Sequence, residues 1–148
     1  MFSFLKKCIQ IEERKGIRER ALKAFSRIEG LDDVKEMLLR ALESKERAHT
    51  LLIGPPACTK SLFMLEIEKY MSSKVYFAEG AATTKAGIQK FIGENQHKEI
   101  IIIDEIDKMP IKDQEGLLTI MERGNFTSTK VRNTQSVKAN VVQGCNIK

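Results

Sequence analysis

Two short stretches carry side chains able to do chemistry together. The first, Gly54-Pro55-Pro56-Ala57-Cys58-Thr59-Lys60-Ser61, matches the phosphate-loop pattern GxxxxGK[ST] at three of its four defining positions. In that pattern backbone N–H groups curl around a β-phosphate at a helix N-terminus, a lysine bridges the β- and γ-phosphates, and a hydroxyl ligates Mg²⁺. Lys60 and Ser61 have the charge and size for the last two tasks. The second stretch is a β-branched run, Ile100-Ile101-Ile102-Ile103, that ends in Asp104 and Glu105. Asp104 can hold the metal ion through one of its waters, and Glu105 can polarise an attacking water as general base. Alone, this acidic group, which includes Asp107, would read equally well as a solvated loop. A phosphate loop in the same chain favours a shared site for Mg²⁺ and ATP.

The pattern asks for glycine where this chain has Thr59. A side chain there crowds the loop if the backbone needs positive φ, whereas a helical φ tolerates threonine. Retained nucleotide binding is the expectation, with that torsion deciding the affinity. The nucleotide cradle is expected to run from Gly54 through Pro55, Pro56, Ala57, Cys58, Thr59, Lys60 and Ser61 to Leu62.

The elements that position these groups follow from periodicity. A short apolar run at residues 49–53 ends at Gly54-Pro55-Pro56, where a buried strand stops. From Lys60 the pattern turns helical, with Phe63, Ile67, Tyr70 and Met71 on one side. Residues 75–78 read as a second strand, 86–92 as a short helix, and 100–103 as a third strand covered on both faces, as in the interior of a parallel sheet. Pro110 and Asp113 open a helix through Leu117, Leu118, Ile120 and Met121, which Gly124 can close. Residues 140–145 are a fourth strand. Ahead of these, residues 12–27 suggest a surface helix with a thin apolar stripe, and Asp32 or Asp33 caps a second helix bearing Val34, Leu38, Ala41 and Leu42. Alternating strands and helices imply an α/β sandwich with ligands at the carboxyl ends of the strands, where Gly54 and Asp104 both fall.

Composition narrows the alternatives. A chain of 148 residues, 42% hydrophobic and 30% charged, can bury one core, and is too rich in Leu, Ile, Val and Phe to be disordered. Its longest aliphatic run is far short of the roughly 20 residues a membrane span requires, and no secretory leader is evident, so a cytoplasmic address is expected. Cys8, Cys58 and Cys145 are odd in number and widely spaced, which favours reduced thiols. His49 and His97 stand without a partner at metal-site spacing, so any metal should arrive with the nucleotide. The net charge is +5, and from Arg123 onward the chain has Arg123, Lys130, Arg132, Lys138 and Lys148 but no Asp or Glu. Such a one-signed tail suits a polyanion.

Taken together, these motifs resemble the AAA+ ATPase superfamily of P-loop NTPases, with Walker A at residues 54–61 and Walker B at residues 100–105, over about residues 28–146. Asp104-Glu105-Ile106-Asp107-Lys108-Met109, then Asp113-Gln114, Leu117-Leu118 and Met121-Glu122-Arg123-Gly124, look like the branch of minichromosome-maintenance helicases, MoxR-type ATPases and magnesium chelatases. The resemblance implies a three-layer sandwich and a hairpin at residues 126–137 ahead of the fourth strand. It also implies that Asn146 acts as the sensor-1 residue that helps orient the lytic water. In helicases such a hairpin grips DNA, so Lys130, Arg132 and Lys138 are candidate phosphate contacts, although a solvated hairpin fits three charges equally well.

The resemblance also implies parts not found here: a last strand, an arginine finger and a helical lid carrying sensor 2. The missing strand would leave residues 50–53 as an open sheet edge. The expectation is therefore an N-terminal helical lead-in at residues 1–27 and a partial AAA+ domain at 28–148, weak or inactive in hydrolysis alone, from a parent that forms a homo-oligomeric ring. For the parent, a DNA helicase or Holliday-junction-type translocase is favoured by the basic tail. A MoxR-like protein-remodelling ATPase and a non-catalytic ATP-binding fragment remain alternatives.

Overall fold

The computed structural model describes residues 15–95, 99–123, 125–127, 134–136 and 140–146. Four parallel strands form the central sheet: β1 (Thr50–Gly54), β2 (Val75–Glu79), β3 (Ile100–Asp104) and β6 (Asn140–Asn146), in the order β1-β6-β3-β2. Two short strands, β4 (Asn125–Thr127) and β5 (Thr134–Ser136), pair antiparallel as a separate hairpin. The helices are α1 (residues 15–24), α2 (Asp32–Glu43), α3 (Lys60–Met71), α4 (Lys85–Glu94) and α5 (Ile111–Arg123).

The isoleucine run is the keel of the sheet. Side chains alternate across a strand, so Ile100 and Ile102 enter one apolar cluster and Ile101 and Ile103 the other. The first cluster joins Phe25, Leu38, Leu39, Phe63, Met64 and Ile67 from the α1, α2 and α3 side. The second joins Ile88 of α4 with Leu117 and Ile120 of α5. A parallel sheet between two helical layers is the α/β sandwich expected from the alternation of elements.

Helix α1 and the turn that follows it are seated more deeply than a thin surface stripe suggests. Ala21, Phe25 and Ile28 are buried, and Phe25 meets Phe63 edge-on with ring centroids 5.4 Å apart. The start of α2 also differs from expectation. Neither Asp32 nor Asp33 is its N-cap: Leu31 holds that place at φ 55° and no side chain caps it, while both aspartates lie in the first helical turn. There they still face the positive end of the helix dipole, and Asp32 accepts from the buried Lys35.

Strand β1 lies at an edge. It pairs with β6 from Thr50↔Val142 to Gly54↔Asn146, and no strand lies on its other side among the described residues. Leu52 packs against the first cluster, but Leu51 and Ile53 point to the opposite face and are 50% and 57% exposed.

Candidate functional site

Gly54 ends β1 and Lys60 begins α3, so the intervening loop lies at the carboxyl edge of the sheet, against a helix N-terminus. No side chain caps that helix, which leaves its first-turn amides available to an anion. Thr59 sits at φ −61°, a torsion any residue adopts, and the left-handed position in the loop is Ala57 at φ 59°. The missing glycine therefore costs the backbone nothing at residue 59. Glycine matters instead at Gly54, where a Cβ would lie 3.1 Å from the Cys58 sulfur and 3.9 Å from Lys60 Nζ. The Leu62 side chain packs against the first cluster, so only its backbone can face a ligand.

Lys60 is buried, and its ammonium donates to the Gly54 carbonyl at 2.9 Å and the Pro55 carbonyl at 2.6 Å, with Cys58 Sγ at 3.2 Å. Among the described residues no carboxylate pairs with it. A buried cation held only by neutral acceptors calls for an anion, which is the property a phosphate site needs. The same ammonium pushes the exposed Cys58 thiol below its ordinary range, chiefly by hydrogen bonding to the sulfur.

Asp104 ends β3, two strands from β1, yet Ser61 Oγ donates to its Oδ2 at 2.7 Å. The contact crosses β6, and Gly144 opens the path: a Cβ there would lie 3.0 Å from Asp104 Oδ1 and 2.5 Å from Met64 Cε. The other Asp104 oxygen accepts the Glu105 N–H at 2.9 Å. A hydroxyl and a carboxylate in contact at a strand end, both hard oxygen donors, suit a Mg²⁺ ion that keeps most of its waters.

Glu105 is left-handed at φ 54°, which turns the chain out of β3 into a single 3₁₀ turn, Ile106–Lys108. A non-glycine residue in that region is strained, and such strain gathers at functional sites. Gly80, just past β2, is required for this turn, because a Cβ there would fall 2.2 Å from the Glu105 carbonyl oxygen. The Glu105 carboxylate accepts from Lys108 Nζ at 2.7 Å, an exposed pair that raises the lysine's pKa. Sequence reasoning did not single out Gly80, Gly144 or Lys108.

The backbone of Asn146 ends β6 in register with Gly54, beside the loop; its side chain lies outside the described part. Lys130, Arg132 and Lys138 also lie outside the described residues, although the β4–β5 pairing overlaps the span expected for a hairpin, beginning one residue earlier at Asn125. A cavity of about 470 Å³ lined by Arg20, Lys23, Glu66, Lys69 and Tyr70 shares no residue with the loop or the carboxylates. No helix among the described residues is long and apolar enough to cross a membrane.

Comparison with known proteins bears on this geometry. Residues 50–139 match the family described as "ATPase family associated with various cellular activities (AAA)". Among curated proteins, the Holliday junction branch migration complex subunit RuvB of Lactococcus lactis subsp. cremoris is 32% identical over 120 residues, 76% of this chain and 36% of that protein. Its counterpart in Oenococcus oeni is 28% identical over 116 residues, 76% of this chain and 34% of that protein. The chain thus spans about a third of the length of these relatives.

Proposed function

Because the chain belongs to the ATPase family associated with various cellular activities, we propose that it is the ATP-binding part of a motor that moves branched or single-stranded DNA, with the nucleotide held as its Mg²⁺ complex. The observation that carries the site is the Ser61–Asp104 contact across β6, with the Lys60 ammonium on the same loop. Lys60 exchanges its two carbonyl partners for phosphate oxygens, and the first-turn amides of α3 take the rest of the phosphate charge. Ser61 and Asp104 are the residues that would hold Mg²⁺, Asp104 through one of its waters. When bound, that ion neutralises charge on the phosphates and fixes their orientation.

Glu105 supplies the general base. It must leave Lys108 to face a water, and the exposure of that pair makes the exchange easy. Asn146, beside Gly54 at the end of β6, helps orient the same water. DNA is the favoured substrate because the relatives at 28–32% identity are named for branch migration and because residues 123–148 carry five cations and no acid. Lys130, Arg132 and Lys138 contact DNA phosphates, and full turnover requires a ring of subunits.

Two measurements separate these claims. Turnover of Mg-ATP by the full chain, compared with Glu105→Gln, should be slow but dependent on Glu105; a rate unchanged by Glu105→Gln sinks the general-base assignment. Binding to branched DNA should weaken steeply with salt and weaken further in the Lys130→Ala/Arg132→Ala double variant. Absence of binding at low salt removes the DNA reading and leaves the nucleotide site standing.

A further inference from the structure

His49 stands immediately before β1 and uses both ring nitrogens. The Val141 N–H donates to its Nδ1 at 3.1 Å, so Nδ1 carries no proton. The ring proton is therefore on Nε2, which donates to the Met121 carbonyl at 3.1 Å. Arg47 Nη1 reaches the same carbonyl at 3.3 Å. Met121 lies near the C-terminus of α5, where helical carbonyls lack intrahelical partners, so these contacts satisfy one of them. Met121 and Val141 are also where the chain leaves for the β4–β5 hairpin and where it returns. One side chain thus grips both ends of the hairpin-bearing segment, and five residues later the same backbone reaches Gly54 and the phosphate loop.

We propose that His49 is a positioning residue that couples the hairpin to the nucleotide loop, by tying both roots of the hairpin to the strand that carries the loop. The coupling is short and stiff. A shift of the hairpin relative to the sheet must either break the bonds to His49 or drag the start of β1, which among the described residues has no strand on its outer side. A change in the loop as it takes up phosphate travels back along the same five residues. This rests on the preceding reading that the loop binds nucleotide and that the hairpin does the work.

The test uses the full chain and backbone hydrogen exchange, with His49→Phe, which keeps a planar ring but neither bond, and His49→Asn, which can still accept from Val141. Without nucleotide, His49→Phe should speed exchange at residues 125–127, 134–136 and Val141 at least tenfold, while amides of β2 and β3 stay within about twofold of the parent. With saturating Mg-ADP, the parent should show slower exchange at those hairpin strands. His49→Phe should lose that response while binding Mg-ADP within about threefold of the parent, and His49→Asn should fall between. A purely structural role would alter the first arm and leave the nucleotide response intact.

Exchange at the hairpin that ignores nucleotide in the parent, or a response that survives in His49→Phe, overturns the coupling. If His49→Phe does not fold, ¹⁵N spectra of the parent decide. The His49 ring should report a proton on Nε2, and its signals and the Val141 amide should move on Mg-ADP binding; the opposite tautomer or unmoved signals overturn the proposal. If Mg-ADP does not bind the parent at all, the nucleotide reading fails instead, and unchanged hairpin exchange in nucleotide-free His49→Phe would separately refute the clamp.

Discussion

Strands β3 and β1 both deliver chemistry to the carboxyl edge of the sheet, but they are held differently. Every side chain from Ile100 to Ile103 is buried, between β2 and β6 and between two helical layers, whereas Leu51 and Ile53 of β1 are at least half exposed and, among the described residues, one edge of the strand is unpaired. The carboxylates Asp104 and Glu105 therefore stand on a fixed platform. The phosphate loop is carried by a strand that, among the described residues, pairs on one side only. Positive φ appears on both, at Glu105 and Ala57, but with different support. Glu105 is wedged over Gly80 in a packed turn, while Ala57 is exposed in a loop whose lysine folds back on its own carbonyls. The difference teaches where adjustment is cheapest: in the loop and in the exposed Glu105–Lys108 pair, rather than in the backbone of β3.

The largest expected effect lies on the platform. Ile102→Ala should cost about 2–5 kcal/mol in urea denaturation, because a buried cavity is left behind, and Ile53→Ala should stay within about 0.5 kcal/mol. Equal costs would mean that β1 is held as firmly as β3. Next, Gly80→Ala should cost about 1–3 kcal/mol by forcing the Glu105 backbone aside. It should also lower turnover more than nucleotide affinity, measured by steady-state hydrolysis beside equilibrium binding.

Smaller effects sharpen the loop side. Thr59→Gly should lose about 0.5–1 kcal/mol through added freedom in the unfolded chain, with no gain in nucleotide affinity, because Thr59 is unstrained at φ −61°. A gain in both would show that threonine crowds the loop. The smallest effect concerns His49. Burial is the main cause of its lowered pKa, against the Met121 carbonyl, which raises it; nearby Arg47 lowers it further. The unfolded chain then binds the proton more readily than the folded one, so stability should be full above about 6.5, the ordinary histidine value, and decline as pH falls through the lower folded value. His49→Asn should flatten that decline in denaturation curves between pH 7.5 and 5.

Much of this was legible from local pattern. The strand before Gly54, the isoleucine strand and the helices after Lys60 and Pro110 follow from runs and periods that no tertiary contact needs to supply. What local pattern could not supply was proximity across strands. Gly80 and Gly144 look like ordinary glycines until β2 is laid beside β3 and β6 between Ser61 and Asp104. His49, read as a lone histidine without metal partners, is lone only in sequence. The cap of α2 was misplaced because an aspartate inside a first turn and one at the N-cap give the same pattern. The relatives compared above are named as branch-migration subunits, so the finer likeness of residues 104–124 to the helicase, MoxR and chelatase branch has no support from them.

The central claim is that Lys60, Ser61 and Asp104 form one site for a metal-bound nucleotide, and calorimetric titration of Mg-ATP into the full chain and Lys60→Ala tests it most directly. Loss of one charged hydrogen-bonding group to the phosphates should weaken binding by about 10- to 100-fold, a loss of roughly 1.5–3 kcal/mol. Equal affinity in the two proteins, or no measurable heat of binding in the parent, would contradict it.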